Sequence, residues 1–171
     1  VRKETYERFG AFLDKDPSFI SRINFPITDI TGKIVAYNGR HTGSGVPKYL
    51  ITPAGAQMPL FPKVEPIGGC VILVEGIFDM LNLHDKGLNN AICCFGTKNV
   101  NEDKLSVLSM SGVSQIDIFF DGDEAGQNAS VKIKELCESI GLSARNVHLK
   151  NTDPGALTEP QILKLKRKLY A

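Results

Sequence analysis

Two short acidic stretches hold the side chains best suited to chemistry, Val74-Glu75-Gly76-Ile77-Phe78-Asp79 and Asp121-Gly122-Asp123-Glu124-Ala125-Gly126. Each follows directly on an apolar run, Val71-Ile72-Leu73-Val74 before the first and Ile116-Asp117-Ile118-Phe119-Phe120 before the second. Carboxylates at the ends of buried strands are costly to hold together unless something positive sits among them. In Asp121-Gly122-Asp123 the glycine permits a tight turn, so both carboxylates can face one ion. Hard oxygen donors of this kind select Mg²⁺ or Mn²⁺, with substrate phosphates completing the shell. Two such ions about 4 Å apart can serve the attacking and the leaving oxygen of a phosphoryl transfer. Glu75 then reads as a second ligand or a general acid/base.

Each stretch alone has a plainer reading. Asp-Gly-Asp is a common surface turn, and a Glu before a glycine can simply favour the following helix N-terminus. Asp79, one turn into that helix, could merely orient its neighbours. The two stretches together, each after an apolar strand, point to divalent metal and phosphate chemistry.

The elements that must position them alternate from Cys70 onward. Strand-like runs fall at 70–74, 91–95, 116–120 and 146–149, and helical patterns cover 76–86, 101–110 and 124–140. Gly87 and Gly141 stop two of the helices. Ala125, Ala129, Ile133, Leu136, Cys137 and Ile140 form a stripe of helical period. A last helix starts near Thr158, where Thr158 and Gln161 match a capping box. This alternation predicts an α/β fold, a parallel four-stranded sheet flanked by helices, with every strand's C-terminal end on one edge. Glu75, Asp121, Asp123 and Asp153 would then share that edge.

The first part of the chain differs in character. Residues 1–20 read as a partly helical lead-in. The runs 23–27 and 34–37 flank a turn at Asp29-Ile30-Thr31-Gly32-Lys33, and 48–51 resumes an extended run. Pro53, Pro59, Pro62 and Pro66 with Gly68-Gly69 mark a boundary. The expected organisation is a small mixed α/β subdomain with antiparallel strands over 1–67, followed by the α/β unit over 68–171.

Among 171 residues, 42% are hydrophobic and 23% charged, ordinary for a soluble globular protein. No apolar run is long enough to span a bilayer, no signal peptide is visible, and a chain opening on Val1 reads as a piece of something longer. The net charge of +1 hides a segregation: residues 1–63 hold nine Lys/Arg against five Asp/Glu, and residues 64–160 hold seven against fourteen. An acidic centre beside a basic flank suits metals between carboxylates and polyanions drawn to Lys and Arg. Cys70, Cys93, Cys94 and Cys137 lack C-x-x-C spacing and read as buried reduced thiols. His41, His84 and His148 lack metal-ligand spacing. Lys164, Lys166, Arg167 and Lys168 could touch nucleic acid or form a solvated helix face.

Val74-Glu75-Gly76-Ile77-Phe78-Asp79, Phe95-Gly96-Thr97 and Asp121-Gly122-Asp123-Glu124-Ala125-Gly126 resemble the TOPRIM domain of bacterial-type primases, type IA and II topoisomerases and certain nucleases. Arg22 to Asp29, Gly39-Arg40 and Pro47-Lys48-Tyr49-Leu50 resemble the N-terminal subdomain of the DnaG-type primase core. The resemblance covers roughly residues 20–160. It implies acidic catalytic and metal positions at Glu75, Asp121 and Asp123, and a further metal position at Asp153 in Asn151-Thr152-Asp153-Pro154. Arg40, Lys48 and Tyr49 match the basic blocks that hold template and incoming nucleotide, and Lys63 is a looser match. Lys150 and Gly155 stand where the family often has further acids. The implied activity is primer synthesis from NTPs on a single-stranded DNA template with Mg²⁺ or Mn²⁺, beside a replicative helicase, separate or fused, in the cytoplasm of a bacterial or phage-infected cell. The alternatives are a metal-dependent TOPRIM nuclease and a non-catalytic nucleic-acid-binding module. A topoisomerase would need a tyrosine nucleophile, and none of the four tyrosines has that context.

Overall fold

A computed structural model describes residues 1–149 and 152–170, and the chain divides into two units, Val1–Pro62 and Lys63–Ala171. In the first, helix α1 (Lys3–Arg8) precedes strands β1 (Arg22–Thr28), β2 (Ile34–His41) and β3 (Tyr49–Thr52). They form an antiparallel sheet in the order β1-β2-β3. Asp29 closes the β1–β2 turn by accepting from the Thr31 N–H at 2.8 Å and the Thr31 hydroxyl at 2.6 Å. Pro26 is tolerated within β1 because β1 lies at the sheet edge, where its missing N–H breaks no ladder bond. Phe25, Ile27 and Ala36 are buried, and Phe12, Phe19 and Tyr37 meet edge-on with ring centroids 5.3–5.7 Å apart.

The second unit carries the expected alternation: β4 (Cys70–Val74), α2 (Ile77–Asp85), β5 (Ala91–Cys93), α3 (Glu102–Met110), β6 (Gln115–Ile118), α4 (Glu124–Ser139), β7 (Ser143–Asn146) and α5 (Glu159–Tyr170). The four strands are parallel in the order β5-β4-β6-β7. β4 is central and buried at all five residues, which is why it reads as an unbroken apolar run. Gly87 and Gly141 follow α2 and α4 with φ of 90° and 83°, the left-handed conformation that ends helices. All four cysteines are free and buried. Among the described residues no helix is long and apolar enough to cross a membrane.

Two expectations need correction. The fourth strand runs over Ser143–Asn146 rather than 146–149. It pairs only with β6, so its mostly exposed Ser-Ala-Arg-Asn carries no apolar signature; Val147, buried, lies just beyond it, and His148 is exposed. The inward stripe of α4 begins at Gly126 and Ser130 rather than Ala125 and Ala129, then continues through Ile133 and Cys137. Small residues are needed there because a side chain at Gly126 would run into the Asp121 carbonyl.

Asp117 stands in the middle of β6 with no exposure. Arg145 on β7 grips it bidentately at 2.9 and 2.8 Å, Gln115 Nε2 donates at 3.0 Å, and the Cys70 thiol donates at 3.2 Å. Burial and the adjacent Asp117 push Cys70 up to about 12, so it remains a thiol donor. Asn90 Nδ2 donates to the Cys70 carbonyl at 2.9 Å and to the Tyr170 hydroxyl at 2.8 Å, fixing the end of α5 to the start of β4. Removing the cation alone would leave an uncompensated charge inside the sheet. Arg145→Met is expected to cost about 3 kcal/mol in urea unfolding at pH 7, with Asp117→Asn in the same chain recovering about half of the loss.

Candidate functional site

β4 and β6 are neighbours in register, so the segments leaving them emerge side by side at the C-terminal edge of the sheet. Glu75 follows β4, and Asp121 and Asp123 follow β6. The Glu75 carbonyl accepts from the Gly96 N–H at 3.2 Å, which ties in the turn Phe95-Gly96-Thr97 after β5. Phe95 and Gly96 have φ of 56° and 103°, the sharp reversal that brings this N–H round.

Both acidic stretches become helix starts. Gly76 is the N-cap of α2, and the Asp79 carboxylate reaches back to the Gly76 N–H at 3.2 Å. Asp79 also accepts from the Gly155 N–H. A Cβ at Gly155 would lie 2.5 Å from Asp79 Oδ1, so only glycine allows this approach. Asp123 caps α4, accepting from the Gly126 N–H at 2.7 Å. Gln127 Nε2 donates to the Asp121 carbonyl at 3.2 Å, fixing the turn between the two acids.

The carboxylates press on one another. Burial, then the charges of Asp121, Asp123 and Asp79, push Glu75 up to about 6, partly offset by the Asp121 N–H. Burial and the Asp121 charge, with a smaller push from Asp153, raise Asp79 to about 6 against its two backbone donors. Glu75, Asp79, Asp121, Asp123 and Asp153 are therefore electrostatic neighbours. Asp153 is exposed and leads into the 3₁₀ turn Pro154–Ala156. Lys150 and Asn151 lie outside the described residues.

Among the described residues no three His, Cys, Asp or Glu side chains close into a metal cage. Mg²⁺ seldom needs one; it commonly binds through one or two carboxylates and completes its shell with water and phosphate. Glu75 and Asp79, raised first by burial and then by their negative neighbours, fit such an ion. Asp79, which the sequence allows as a mere orienting residue, belongs to this group by its electrostatics. Its i, i+4 spacing from Glu75 is visible in the sequence, but its tie to Gly155 is not.

In the first unit, Arg40 and Tyr49 are register partners on β2 and β3. The Arg40 guanidinium carbon lies 5.8 Å and Lys48 Nζ 5.7 Å from the Tyr49 ring centre. Arg40, Lys48 and Tyr49 thus form one partly exposed cationic cluster around an aromatic ring. Lys63 is exposed in an irregular segment of the second unit. Arg22, at the start of the block Arg22 to Asp29, has a different place. It is buried and donates to the carbonyls of Gly39 at 3.3 Å, Lys48 at 3.3 Å and Pro47 at 2.8 Å. It braces the loop that presents Lys48, and its burial could not be read from its residue type.

Residues 72–157 match the Toprim-like family, and residues 3–67 match the DNA primase catalytic core N-terminal domain. A DNA primase of Rickettsia felis is 38% identical over 141 residues, covering 75% of this chain and 23% of that protein. The chain thus spans about a quarter of the length of such relatives. The Aquifex aeolicus primase structure, comprising zinc-binding and RNA polymerase domains, superposes with a TM-score of 0.73 at 27% identity, covering 96% of this chain and 44% of that one. A DnaG primase catalytic domain bound to single-stranded DNA superposes with a TM-score of 0.66 at 25% identity, covering 97% of this chain and 58% of that one.

The raised carboxyls carry a consequence for stability. Both acids hold protons more tightly when folded than when unfolded, so their contribution is full below about pH 4 and is lost as pH rises through about 6. Glu75→Gln, which removes one of these charges, is expected to raise the melting temperature of ion-free protein at pH 7.5 by about 2–4 °C. At pH 4 the same substitution should leave it unchanged, and thermal scans in chelator at the two pH values read the difference.

Proposed function

The chain belongs to the Toprim-like family, in the form found in the DnaG-type primase core, and on that premise we propose that it synthesises short RNA primers from NTPs on single-stranded DNA. The observation that carries this reading is the carboxylate group at one sheet edge, where Glu75 and Asp79 are both raised to about 6 by burial and acidic neighbours. Glu75, Asp121 and Asp123 would hold divalent ions, Mg²⁺ or Mn²⁺, with Asp79 beside them and Asp153 completing the set. Ions bound there would neutralise the triphosphate and favour attack of a primer 3′-hydroxyl on the α-phosphate, with pyrophosphate leaving. The protein's own part is positioning: β4 and β6 fix the strand ends, and Asp123 and Gln127 hold the turn at Asp121.

Arg40 and Lys48 would contact the template backbone or nucleotide phosphates, and Tyr49 offers a ring on which a base can stack. Lys63 is proposed as a further phosphate contact. The single-stranded DNA held by the related catalytic domain supports a template of that kind. A replicative helicase, separate or fused, is the proposed partner. Neither role needs a covalent enzyme intermediate.

Primer synthesis from NTPs on single-stranded template with Mg²⁺ or Mn²⁺ tests the proposal. Asp121→Ala is expected to lower synthesis by about 100-fold or more while leaving template binding intact. Undiminished synthesis in this variant would remove the assigned role, and metal-dependent degradation of nucleic acid without NTPs would favour a nuclease. In binding measurements, Arg40→Ala and Lys48→Ala should each weaken the single-stranded complex and reduce the slope of log affinity against log salt by about 0.7.

A further inference from the structure

Asp153 is exposed and leads into the short 3₁₀ turn Pro154–Ala156, outside the helices and strands of the second unit. Within that turn the Ala156 N–H donates to the Asp153 carbonyl at 3.0 Å and the Leu157 N–H to the Pro154 carbonyl at 3.4 Å. Two groups on α2 reach it. One is Asp79, already committed to the acidic edge. The other is Asn82, one helical turn further along and nearly fully buried.

The Asn82 carboxamide donates to the Pro154 carbonyl at 2.8 Å and to the Leu157 carbonyl at 3.1 Å, spanning the turn from both sides. Its oxygen accepts from Nζ of Lys86, the residue that caps the end of α2. Only one orientation of the amide satisfies these partners, since both carbonyls can only accept and the ammonium can only donate. Both donors of the side chain are thereby directed at one loop, and its oxygen is held by Lys86. Pro154 and Leu157 are buried beneath it, while Asp153 stays exposed beside Asp79.

We propose that Asn82, oriented by Lys86, is a positioning residue that holds the Asp153 loop against the acidic edge and so sets the affinity of that edge for a divalent ion. This rests on the ion-binding reading given above. An uncharged amide is well matched to that role. A second carboxylate on this face of α2 would repel the carbonyls and add to the crowding, whereas the amide anchors the loop at any protonation state of its neighbours.

The test uses the full chain and Mn²⁺ alone, with free ion followed by electron paramagnetic resonance and loop opening by amide hydrogen exchange. Asn82→Leu keeps the volume but has no donors. It should speed exchange at Leu157 about tenfold while leaving β4 amides unchanged. It should also weaken Mn²⁺ binding about tenfold, as should Asp153→Asn, and the double variant should be no worse than either alone. Lys86→Met, at a partly exposed position, should loosen the same amide by about threefold without threatening the fold. Unchanged exchange in Asn82→Leu overturns the anchoring. Faster exchange with unchanged Mn²⁺ affinity, while Glu75→Gln and Asp121→Asn still weaken binding, overturns the link to the ion and leaves the proposed function standing. If the unaltered chain takes up no Mn²⁺, the ion-binding reading falls and this inference with it.

Discussion

Glu75, Asp79 and Asp121 repel one another in surroundings that have withdrawn much of their water, and the second unit is shaped by how that repulsion is contained. The protein answers with backbone N–H groups: Gly76 and Gly155 donate to Asp79, Asp121 to Glu75 and Gly126 to Asp123. Three of these four donors are glycines. At Gly155 a side chain would strike the very carboxylate being served, and at Gly126 it would strike the carbonyl of the adjacent acid. Two of the acids also sit at the starts of α2 and α4, where unsatisfied N–H groups favour negative charge. These devices fall short of neutrality, since Glu75 and Asp79 remain near 6. The residual deficit is the property that a cation would relieve.

Asp117 shows the alternative outcome only four residues before Asp121. It is more deeply buried than any acid of the edge, yet Arg145, Gln115 and Cys70 saturate its oxygens. A buried carboxylate with its own guanidinium is structural; it locks β6 to β7 and leaves no appetite for an external ion. The charges pressing on Glu75 are other carboxylates, so the same chemistry leaves a charge deficit that a cation would relieve. Partner identity separates the two roles, whereas burial alone would rank them in the wrong order. A rigid β4–β6 pair then matters to both, because it delivers Glu75 and Asp121 to one edge without any loop having to find the other.

What could be read from the sequence follows the same division. Signals confined to neighbouring residues were legible: apolar runs for the buried strands, Gly87 and Gly141 as helix stops, and two acidic stretches at strand ends. β7 was misplaced because an exposed edge strand needs no apolar run. The α4 stripe was shifted because Gly126 and Ser130 face inward for closeness rather than hydrophobicity. Asn82 was invisible because its carbonyl partners lie 72 and 75 residues away. Asp79 was ambiguous for a related reason, since its fate depends on the absence of a Cβ at Gly155.

In the first unit, two arginines of one sheet divide along similar lines. Strand register puts Arg22 opposite His41 and Arg40 opposite Ile23. Because successive side chains alternate between faces, Arg22, Asn24, Gly39 and His41 share one face, while Arg40 and its partner Tyr49 share the other. A side chain at Gly39 would collide with Asn24 and crowd Arg22, so glycine there lets the Arg22 guanidinium cross to the carbonyls of Pro47 and Lys48. On the same face, His41 Nδ1 accepts from the N–H groups of Gly43 at 3.0 Å and Gly45 at 3.2 Å. One face of the sheet therefore shapes the backbone of the Gly43–Lys48 loop, and the other displays the cations around Tyr49. Arg22 and Arg40 therefore lie on opposite faces, and the pleat of the strands decides which of them braces the loop.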